Sequence, residues 1–517
     1  MTDTISTGEA PGSTLPRRFG LIFLGLMTVM LLASLDQTIV ATALPTIVGE
    51  LNGVSHLAWV TTAYILAATI TMPVYGRVGD LIGRKTLFLT AISLFVLGSA
   101  VAGAAQNMTM LIIGRGVQGL GGGGLMILSQ TIIADLVPPR QRAKYMAPMG
   151  AIFGLSSVAG PLLGGWFTDS VGWRWAFWIN LPLGLIALAV CSFALQLPRK
   201  AIKIPLDYVG ITLMAAAVSC TVLVATWGGT TYEWSDPVIL VLAAAGLLAW
   251  VVFFLSQRRA TEPIIPLRLF RSRIFNFATL IALIVVGIGM FAVIGYLPTY
   301  LQMVYGYTAT ESGLLLIPMV VGLMATAVSS GQVISKTGRY KIFPIVGTAI
   351  VTGTALLLST LDTSTPVVVL CGYIFLLGAG VGLLMQTLVL AVQNDFPVSD
   401  VGTATSANNF FREIGATLGT AAVGAIFSNR LTTRLTETLP PRGSGAAGNV
   451  QSLTPALVRS LPPDLQHTVV AAYQHALVPV FAYLAPVFAI GIILAFFLPE
   501  KKLSDTNEPS AVTQATE

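Results

Sequence analysis

The chain has 517 residues, of which 55% are hydrophobic and only 10% are charged, with a mean hydropathy of +0.81. Soluble domains carry about 25% charged residues, so this composition excludes a water-soluble fold and predicts lipid as the solvent. The net charge of +6 comes from lysine and arginine placed between apolar segments, as the positive-inside rule requires. We therefore expect a lipid bilayer and no nucleic acid as partner.

Apolar segments close to the ~20 residues that cross a bilayer recur along the whole chain. They predict α-helices, because a lipid-exposed backbone must satisfy its own hydrogen bonds. We predict an all-α membrane protein of about fourteen spans, at residues 20–45, 56–75, 86–105, 109–134, 143–167, 174–197, 208–228, 237–256, 275–301, 309–333, 342–361, 364–391, 403–428 and 476–498.

Lysine and arginine lie before span 1, after span 14 and in the loops that follow spans 2, 4, 6, 8 and 10, whereas loops such as 106–108 and 229–236 contain none. Basic loops stay on the cytoplasmic side. We therefore predict a multi-pass protein of the plasma (inner) membrane with both termini in the cytoplasm. The loop 429–475 carries four arginines on the predicted outer side, but long loops weigh less in this rule.

A weak internal repeat divides the chain. "GRVGDLIGRK" (76–85) follows span 2 and "GQVISKTGRYK" (331–341) follows span 10, with glycine and glycine-arginine at the same spacing. Halves related about the membrane normal are typical of transporters that rock around a site at the midplane. The predicted domains are a disordered cytoplasmic N-terminus (1–18), a six-helix bundle (19–200), two extra central helices (201–260), a second six-helix bundle with the external loop 429–475 (261–500) and a cytoplasmic tail (501–517).

Span 1 contains a carboxylic acid, Asp36, and span 4 contains Arg115. An arginine within a span costs about 2.5–3.5 kcal/mol on insertion scales and needs a counter-charge. At the rise of an α-helix, the two residues lie roughly 13 and 9 Å from the outer ends of their spans. This similar depth predicts that Asp36 and Arg115 interact. The pair is either a static ion pair or part of a proton relay.

The loop after span 2 predicts a gate on the cytoplasmic face. Gly76 and Gly83 allow a tight turn and close helix approach. Arg84 is predicted to reach Asp135 at the end of span 4, with Asp80 in the same cluster. Such a cluster locks the cytoplasmic side when a transporter opens outward. The alternative is a basic topology anchor with an incidental aspartate.

Span 5 contains a row of small residues around a proline, Gly154, Gly160, Pro161, Gly164 and Gly165. Small residues on one face let two helices approach closely, and a proline bends the helix. We predict a tight helix contact along this row. A generic packing seam would have the same pattern.

Span 13 contains "NNFFREIG", in which Arg412 and Glu413 lie roughly 15 Å deep by helix rise. Neighbouring side chains on a helix point about 100° apart, so we do not expect a good ion pair between these two. Glu413 is a second protonation site, a contact for a cationic substrate, or a fixed partner for Arg115 or Arg412.

These motifs occur together with "LDQTIVATALP" (35–45), "WRWAFWINLPLG" (173–184), "LDYVG" (206–210), "PIIPLRLFRSRIF" (263–275) and "LPTYLQMVYGYTATESGLLLIP" (297–318). Jointly they resemble the fourteen-helix drug:proton antiporter family of the major facilitator superfamily, over about residues 20 to 500. The Gly-Pro-x-x-Gly-Gly core of span 5 resembles the antiporter motif of that superfamily, with Ala and Ser replacing two of the usual upstream glycines.

The resemblance implies a major facilitator fold and a proton-coupled antiporter that exports amphipathic or cationic compounds by alternating access. Protons are the coupling ion, and we expect a monomer without enzyme activity, metal or other cofactor. Asp36, Arg115, Arg412 and Glu413 are the predicted proton-coupling residues. The predicted substrate cavity is lined by Tyr64, Gln118, Tyr300, Asn408, Asn409 and Phe410.

Two other functions fit parts of the sequence. A transporter of the same fold could be dedicated to one cargo, such as an endogenous metabolite, an antibiotic, a lipid or a siderophore. A membrane sensor that transports nothing is the third alternative, but a charged membrane core argues against it.

Overall fold

The computed structural model describes residues 18–51, 56–197, 206–229, 231–438 and 458–503. Most of the predicted N-terminus, most of the predicted tail and the middle of the predicted loop 429–475 lie outside the described residues. Within those ranges the fold is helical, apart from one isolated bridge between Gly228 and Tyr232. The prediction of an all-α membrane protein is confirmed.

In the described ranges, thirteen helices are long and apolar enough to cross a membrane, and one further apolar helix is shorter, at 17 residues. We number the fourteen segments in chain order. The first six are α1 (Phe19–Glu50), α2 (Leu57–Ile82), α3 (Arg84–Gly103), α4 (Met108–Leu136), α5 (Pro139–Trp166) and α6 (Trp175–Ala194). The inserted pair is α7 (Tyr208–Trp227) and α8 (Pro237–Gln257). The last six are α9 (Arg273–Val304), α10 (Ile317–Thr337), α11 (Ile342–Leu358), α12 (Val367–Asp395), α13 (Val401–Thr438) and α14 (Pro463–Phe497).

The external loop predicted at 429–475 is wrong at both ends, because α13 continues to Thr438 and α14 begins at Pro463. The two extensions carry buried apolar residues, Leu431 and Leu435 in the first and Val469 in the second. Tyr473 in the second extension packs its ring 4.9 Å from that of Phe427 on α13. Because α13 and α14 pack against each other, both helices continue beyond the apolar segment that crosses the bilayer. Counting apolar residues therefore underestimates their length.

Glycines in α4 permit close packing of the first bundle. A Cβ atom added at Gly119 would lie 2.4 Å from the Tyr64 carbonyl oxygen on α2, and one added at Gly121 would lie 2.4 Å from the Ala91 carbonyl oxygen on α3. No side chain fits at these distances. The run "GLGGGG" (119–124) is therefore a packing surface that places α4 directly against the backbones of α2 and α3.

The inserted helices lie beside the contact between α2 and α13. At one end, the rings of Trp59 on α2 and Trp227 on α7 lie 5.7 Å apart. Along α8, the ring of Trp250 lies 6.1 Å from that of Phe410 on α13. The inserted pair thus contacts both bundles.

Replacing Gly121 with alanine should destabilise the protein, because the new methyl group meets backbone atoms of α3 that cannot rotate away. We expect a loss of about 1–3 kcal/mol, typical of overpacking, measured by thermal unfolding of the purified protein. Gly116→Ala on the same helix is the control, since a Cβ atom there has no neighbour within 4 Å. Equal stability of the two variants would contradict the packing argument.

Candidate functional site

Asp36 is completely buried in α1, where three polar side chains surround its carboxylate. Arg115 donates to one carboxylate oxygen through Nη1 and forms an ion pair with it. The other oxygen accepts from Gln118 Nε2 at 2.7 Å and from Asn180 Nδ2 at 3.0 Å. The predicted contact between Asp36 and Arg115 is present, and side chains from α4 and α6 complete it.

The groups around this ion pair are themselves held in place. Ser99 on α3 accepts hydrogen bonds from both amides, at 2.7 Å from Gln118 and 3.3 Å from that of α6. Arg115 donates from Nε to the carbonyl oxygen of Val60, and its guanidinium lies 4.4 Å from the ring centroid of Tyr64. The acid therefore occupies a prearranged polar site in which α1, α2, α3, α4 and α6 all take part. We call these side chains the Asp36 cluster.

Asn180 and Ser99 are the members of the Asp36 cluster that the sequence did not predict. Asn180 lies inside "WRWAFWINLPLG", a block whose tryptophans and arginine indicate a membrane interface. A polar amide that follows the tryptophans of this block and precedes an apolar run was the available signal. Ser99 had none, because a serine inside a span often hydrogen-bonds only within its own helix. Ser99 makes that bond too, to the Phe95 carbonyl oxygen, in addition to accepting from the two amides.

A second polar cluster joins the end of α2 to the end of α4. Arg84 donates from Nη1 to Asp135, as predicted, and to the carbonyl oxygen of Thr131 at 2.7 Å. Its Nη2 donates to Asp80 at 2.7 Å. The backbone of Gly83, with φ of 100°, makes the turn that brings Arg84 to this position. Its role as a gate remains a prediction.

Asp80 also reaches the second bundle. Its carboxylate accepts hydrogen bonds from the backbone N–H groups of Gly402 and Thr403, at 3.1 and 2.7 Å, and from the Thr403 hydroxyl at 2.8 Å. A carboxylate at this position caps the start of α13, and its negative charge interacts favourably with the positive end of the helix dipole. Gly76 permits the contact, because a Cβ atom there would lie 2.6 Å from the Gly402 carbonyl oxygen.

A further set of charges lies beside this contact. Arg77 on α2 donates to Glu262 and lies 3.6 Å from Asp400, which also accepts from Arg268 at 2.8 Å. Burial raises the pKa of Asp400, and the guanidinium of Arg268 opposes that rise. Because only the ionised form is paired, these contacts weaken as the pH falls through the raised pKa. The sequence did not predict this set, since Arg77 and Glu262 lie 185 positions apart.

Two of the small residues in α5 meet α1. A Cβ atom at Gly160 would lie 1.9 Å from the Thr38 hydroxyl oxygen, and one at Gly164 would lie 2.0 Å from that of Thr42. The Thr38 hydroxyl donates to the Ser156 carbonyl oxygen at 2.9 Å. The predicted tight contact is therefore found between α5 and the helix that carries Asp36.

The other members of the α5 motif have different neighbours. A Cβ atom at Gly154 would lie 3.4 Å from Val320 on α10, and one at Gly165 would have no neighbour within 4 Å. Pro161 faces Gly313 in a short helix before α10, at 3.5 Å from an added Cβ atom. This face of α5 thus approaches the second bundle.

Arg412 and Glu413 do pair, contrary to the expectation from their spacing. Arg412 Nη2 donates to Glu413 Oε1 at 2.9 Å and lies 3.7 Å from the sulfur of Met126 on α4. The arginine side chain is long enough to reach Glu413 despite the angle between adjacent Cβ atoms. Arg412 is buried and the Glu413 side chain is 23% exposed.

The residues predicted to line a cavity are buried, each with its own contacts. Tyr64 and Gln118 belong to the Asp36 cluster. Tyr300 packs its ring 6.0 Å from that of Tyr305.

On α13, Asn408 donates to a threonine hydroxyl of α9 at 3.1 Å, and Asn409 donates to Gln130 on α4 at 3.1 Å. Phe410 packs against Trp250 of the inserted pair. Asn409 therefore connects the bundles in this conformation. A role for any of these residues in substrate binding remains a prediction.

Among the residues that the structure describes, no group of three or more histidine, cysteine or acidic side chains could hold a metal ion. Cys191 is buried, and Cys220 and Cys371 are half-buried; all three are free thiols.

Helices of membrane length with ion pairs buried between them define a multi-pass membrane protein, and charges in such positions mark pathways for substrates or ions. A family model described as the Major Facilitator Superfamily matches residues 26–420. The chain therefore belongs to the Major Facilitator Superfamily, as the motifs predicted, and is a membrane transporter of small molecules.

Relatives and solved structures agree with this assignment. The chain is 41% identical to an uncharacterized MFS-type transporter of Mycobacterium tuberculosis, over 95% of this chain and 71% of that protein. It is 38% identical to the multidrug transporter protein MdtP of Bacillus subtilis, over 94% of each chain. The crystal structure of the human organic anion transporter MFSD10 is similar in fold, with a TM-score of 0.62 at 14% identity, covering 94% of this chain and 100% of that one.

Replacing Asn180 with alanine should leave the Asp36 carboxylate one donor short. A buried acceptor that loses its partner costs about 1–3 kcal/mol, so we expect a lower midpoint of thermal unfolding. Leu185→Ala on the same helix is the control, because that side chain is 54% exposed on the outer surface of the fold. If both variants lose the same stability, the hydrogen bond from Asn180 contributes little.

Proposed function

We propose that this transporter exports amphipathic or cationic compounds in exchange for protons. The observation that carries the proposal is the burial of Asp36 within the membrane, paired with Arg115 and held by two amides. An ionisable side chain inside a span is costly and is a functional candidate by default. The multidrug function stated for the Bacillus relative supports drugs as the cargo.

The proposed coupling step is proton binding at Asp36. A nearby guanidinium favours the ionised carboxylate, and exclusion of water favours the neutral acid. Proton arrival would remove the ion pair with Arg115, which would retain Gln118, the Val60 carbonyl oxygen and the ring of Tyr64 as neighbours. A helix displacement that changes the distance between Asp36 and the Arg115 guanidinium would then change the proton affinity of Asp36, so that the acid binds or releases its proton.

The proposed transport cycle alternates access around this site. We assign the contact of Asp80 with the start of α13 to a closed cytoplasmic gate, with both termini on the cytoplasmic side of the plasma membrane. Arg140 adds a second connection, because it donates to the carbonyl oxygens of Ser335 and Lys336 at the end of α10, at 2.9 and 2.6 Å. Loading from the cytoplasm would require these contacts to break.

Glu413 is the proposed second acid of the pathway. Its side chain is partly exposed, whereas Asp36 is fully buried. A partly exposed carboxylate within a span suits contact with a cationic substrate. Arg412 would neutralise it when the substrate is absent.

Replacing Asp36 with asparagine should abolish export driven by a pH gradient, because the side chain can no longer bind and release a proton. The measurement is dye and drug transport in vesicles that contain the purified transporter under an imposed pH gradient. Asp169→Asn is the matched control, since Asp169 is exposed in the short helical segment Phe167–Val171 that follows α5. We expect the control to transport at the rate of the unmodified protein.

Three outcomes separate the possible functions. Unchanged gradient-driven transport by Asp36→Asn would show that Asp36 does not couple protons and that its pair with Arg115 is structural. Transport of one compound from a broad panel would indicate a dedicated exporter. Transport that does not respond to the pH gradient in the unmodified protein would contradict proton exchange.

A further inference from the structure

The segment that follows the inserted helices is held firmly against the fold. We call residues 258–272, between α8 and α9, the inner linker. Ile264 and Ile265 are buried, and the backbone N–H of Ile265 donates to the Gln257 side chain at 3.1 Å. Gln257 in turn donates to Asp207, the residue that caps α7, at 2.6 Å. The inner linker therefore has one defined position beside the inserted pair.

The C-terminal end of the inner linker is hydrogen-bonded to the second bundle. Ser272 donates its hydroxyl to Asp395 at the end of α12, and Arg268 donates to Asp400 just before α13. Leu269 between them is buried. This part of the inner linker is thus fixed to the second bundle on both sides of the loop that joins α12 to α13.

Glu262 extends from the inner linker to the first bundle. It accepts a hydrogen bond from Arg77 on α2, and the side chains of Arg77 and Glu262 are only 7% and 20% exposed. On its other side, Arg77 faces Asp400 at 3.6 Å. An arginine of the first bundle is thus held between two carboxylates that belong to the inner linker and the second bundle. Water screens such a poorly exposed pair less than a surface pair.

We propose that Glu262 is a positioning residue of the cytoplasmic gate. It holds Arg77, and with it the end of α2, while the gate is closed, and it must release Arg77 before α2 and α13 can separate. The inner linker, which follows the inserted helices, then takes part in alternating access by presenting this carboxylate. The inference rests on the proposed function only in taking the contact between Asp80 and α13 as the gate.

The test uses a single cysteine as reporter, placed where α10 meets the first bundle and away from the contact between α2 and α13. Ser330 on α10 is buried and lines a cavity of about 10 Å³ between α5, α10 and α12. Ser330→Cys, in a protein whose three native cysteines are replaced by serine, would react with a maleimide only when the bundles part. The rate of alkylation is measured in detergent, with neither drug nor pH gradient present.

Glu262→Gln should raise the rate of alkylation about threefold or more, as expected for loss of a partly buried charge pair. Glu262→Asp should restore most of the slow rate, because it keeps the charge. Arg77→Gln combined with Glu262→Gln should react no faster than the faster single variant, since each single substitution already removes the ion pair between these two side chains. Glu437→Gln, which alters an exposed pair at the end of α13, is the matched control and should change nothing.

Asp80→Asn tests the gate itself, because it weakens the contact between Asp80 and the start of α13. Fast alkylation in Asp80→Asn with an unchanged rate in Glu262→Gln would overturn the role of Glu262 and leave the gate intact. An unchanged rate in both variants would overturn the gate as well. Additive effects of the Arg77 and Glu262 substitutions, or a fast rate in Glu262→Asp, would also reject the proposal. Proton coupling does not enter any of these outcomes.

Discussion

The pairing of Asp36 with Arg115 is the constraint on which the first bundle depends. Neither charge can be solvated by lipid, and removing one partner of a buried ion pair typically costs about 3–5 kcal/mol because the other charge is left uncompensated. The requirement fixes α1 and α4 at one relative depth and rotation. Gln118, Asn180 and the surrounding helices then complete the hydrogen bonding of a carboxylate that water cannot reach.

The same helix connects this pair to the contact between the bundles. α4 carries Arg115 towards one end and Asp135 at the other, and Gln130 between them accepts a hydrogen bond from Asn409 of α13. A displacement of α4 that follows a charge change at Asp36 would therefore act directly on the contacts that join the bundles. The glycines of α4 allow it to lie against its neighbours closely enough to transmit such a movement.

The sequence predicted what depends on length, depth and charge balance, and little of what depends on side-chain direction. Apolar length predicted the spans, and similar depth predicted the contact of Asp36 with Arg115. Asn180 was missed because a single polar residue does not reveal which way it points. The pairing of Arg412 with Glu413 was judged wrongly because Cβ geometry ignores the reach of an arginine. The ends of α13 and α14 were misplaced because packing, and not the bilayer, determines them.

Proton release on substrate binding tests the central claim most directly. A fluorescent pH indicator in weakly buffered detergent solution reports protons released when a cationic drug is added to the purified transporter. If drug and proton exchange at Asp36, the unmodified protein releases protons when drug is added, and Asp36→Asn binds drug without releasing any. Equal release by Asp36→Asn, or none by the unmodified protein at saturating drug, would contradict the account.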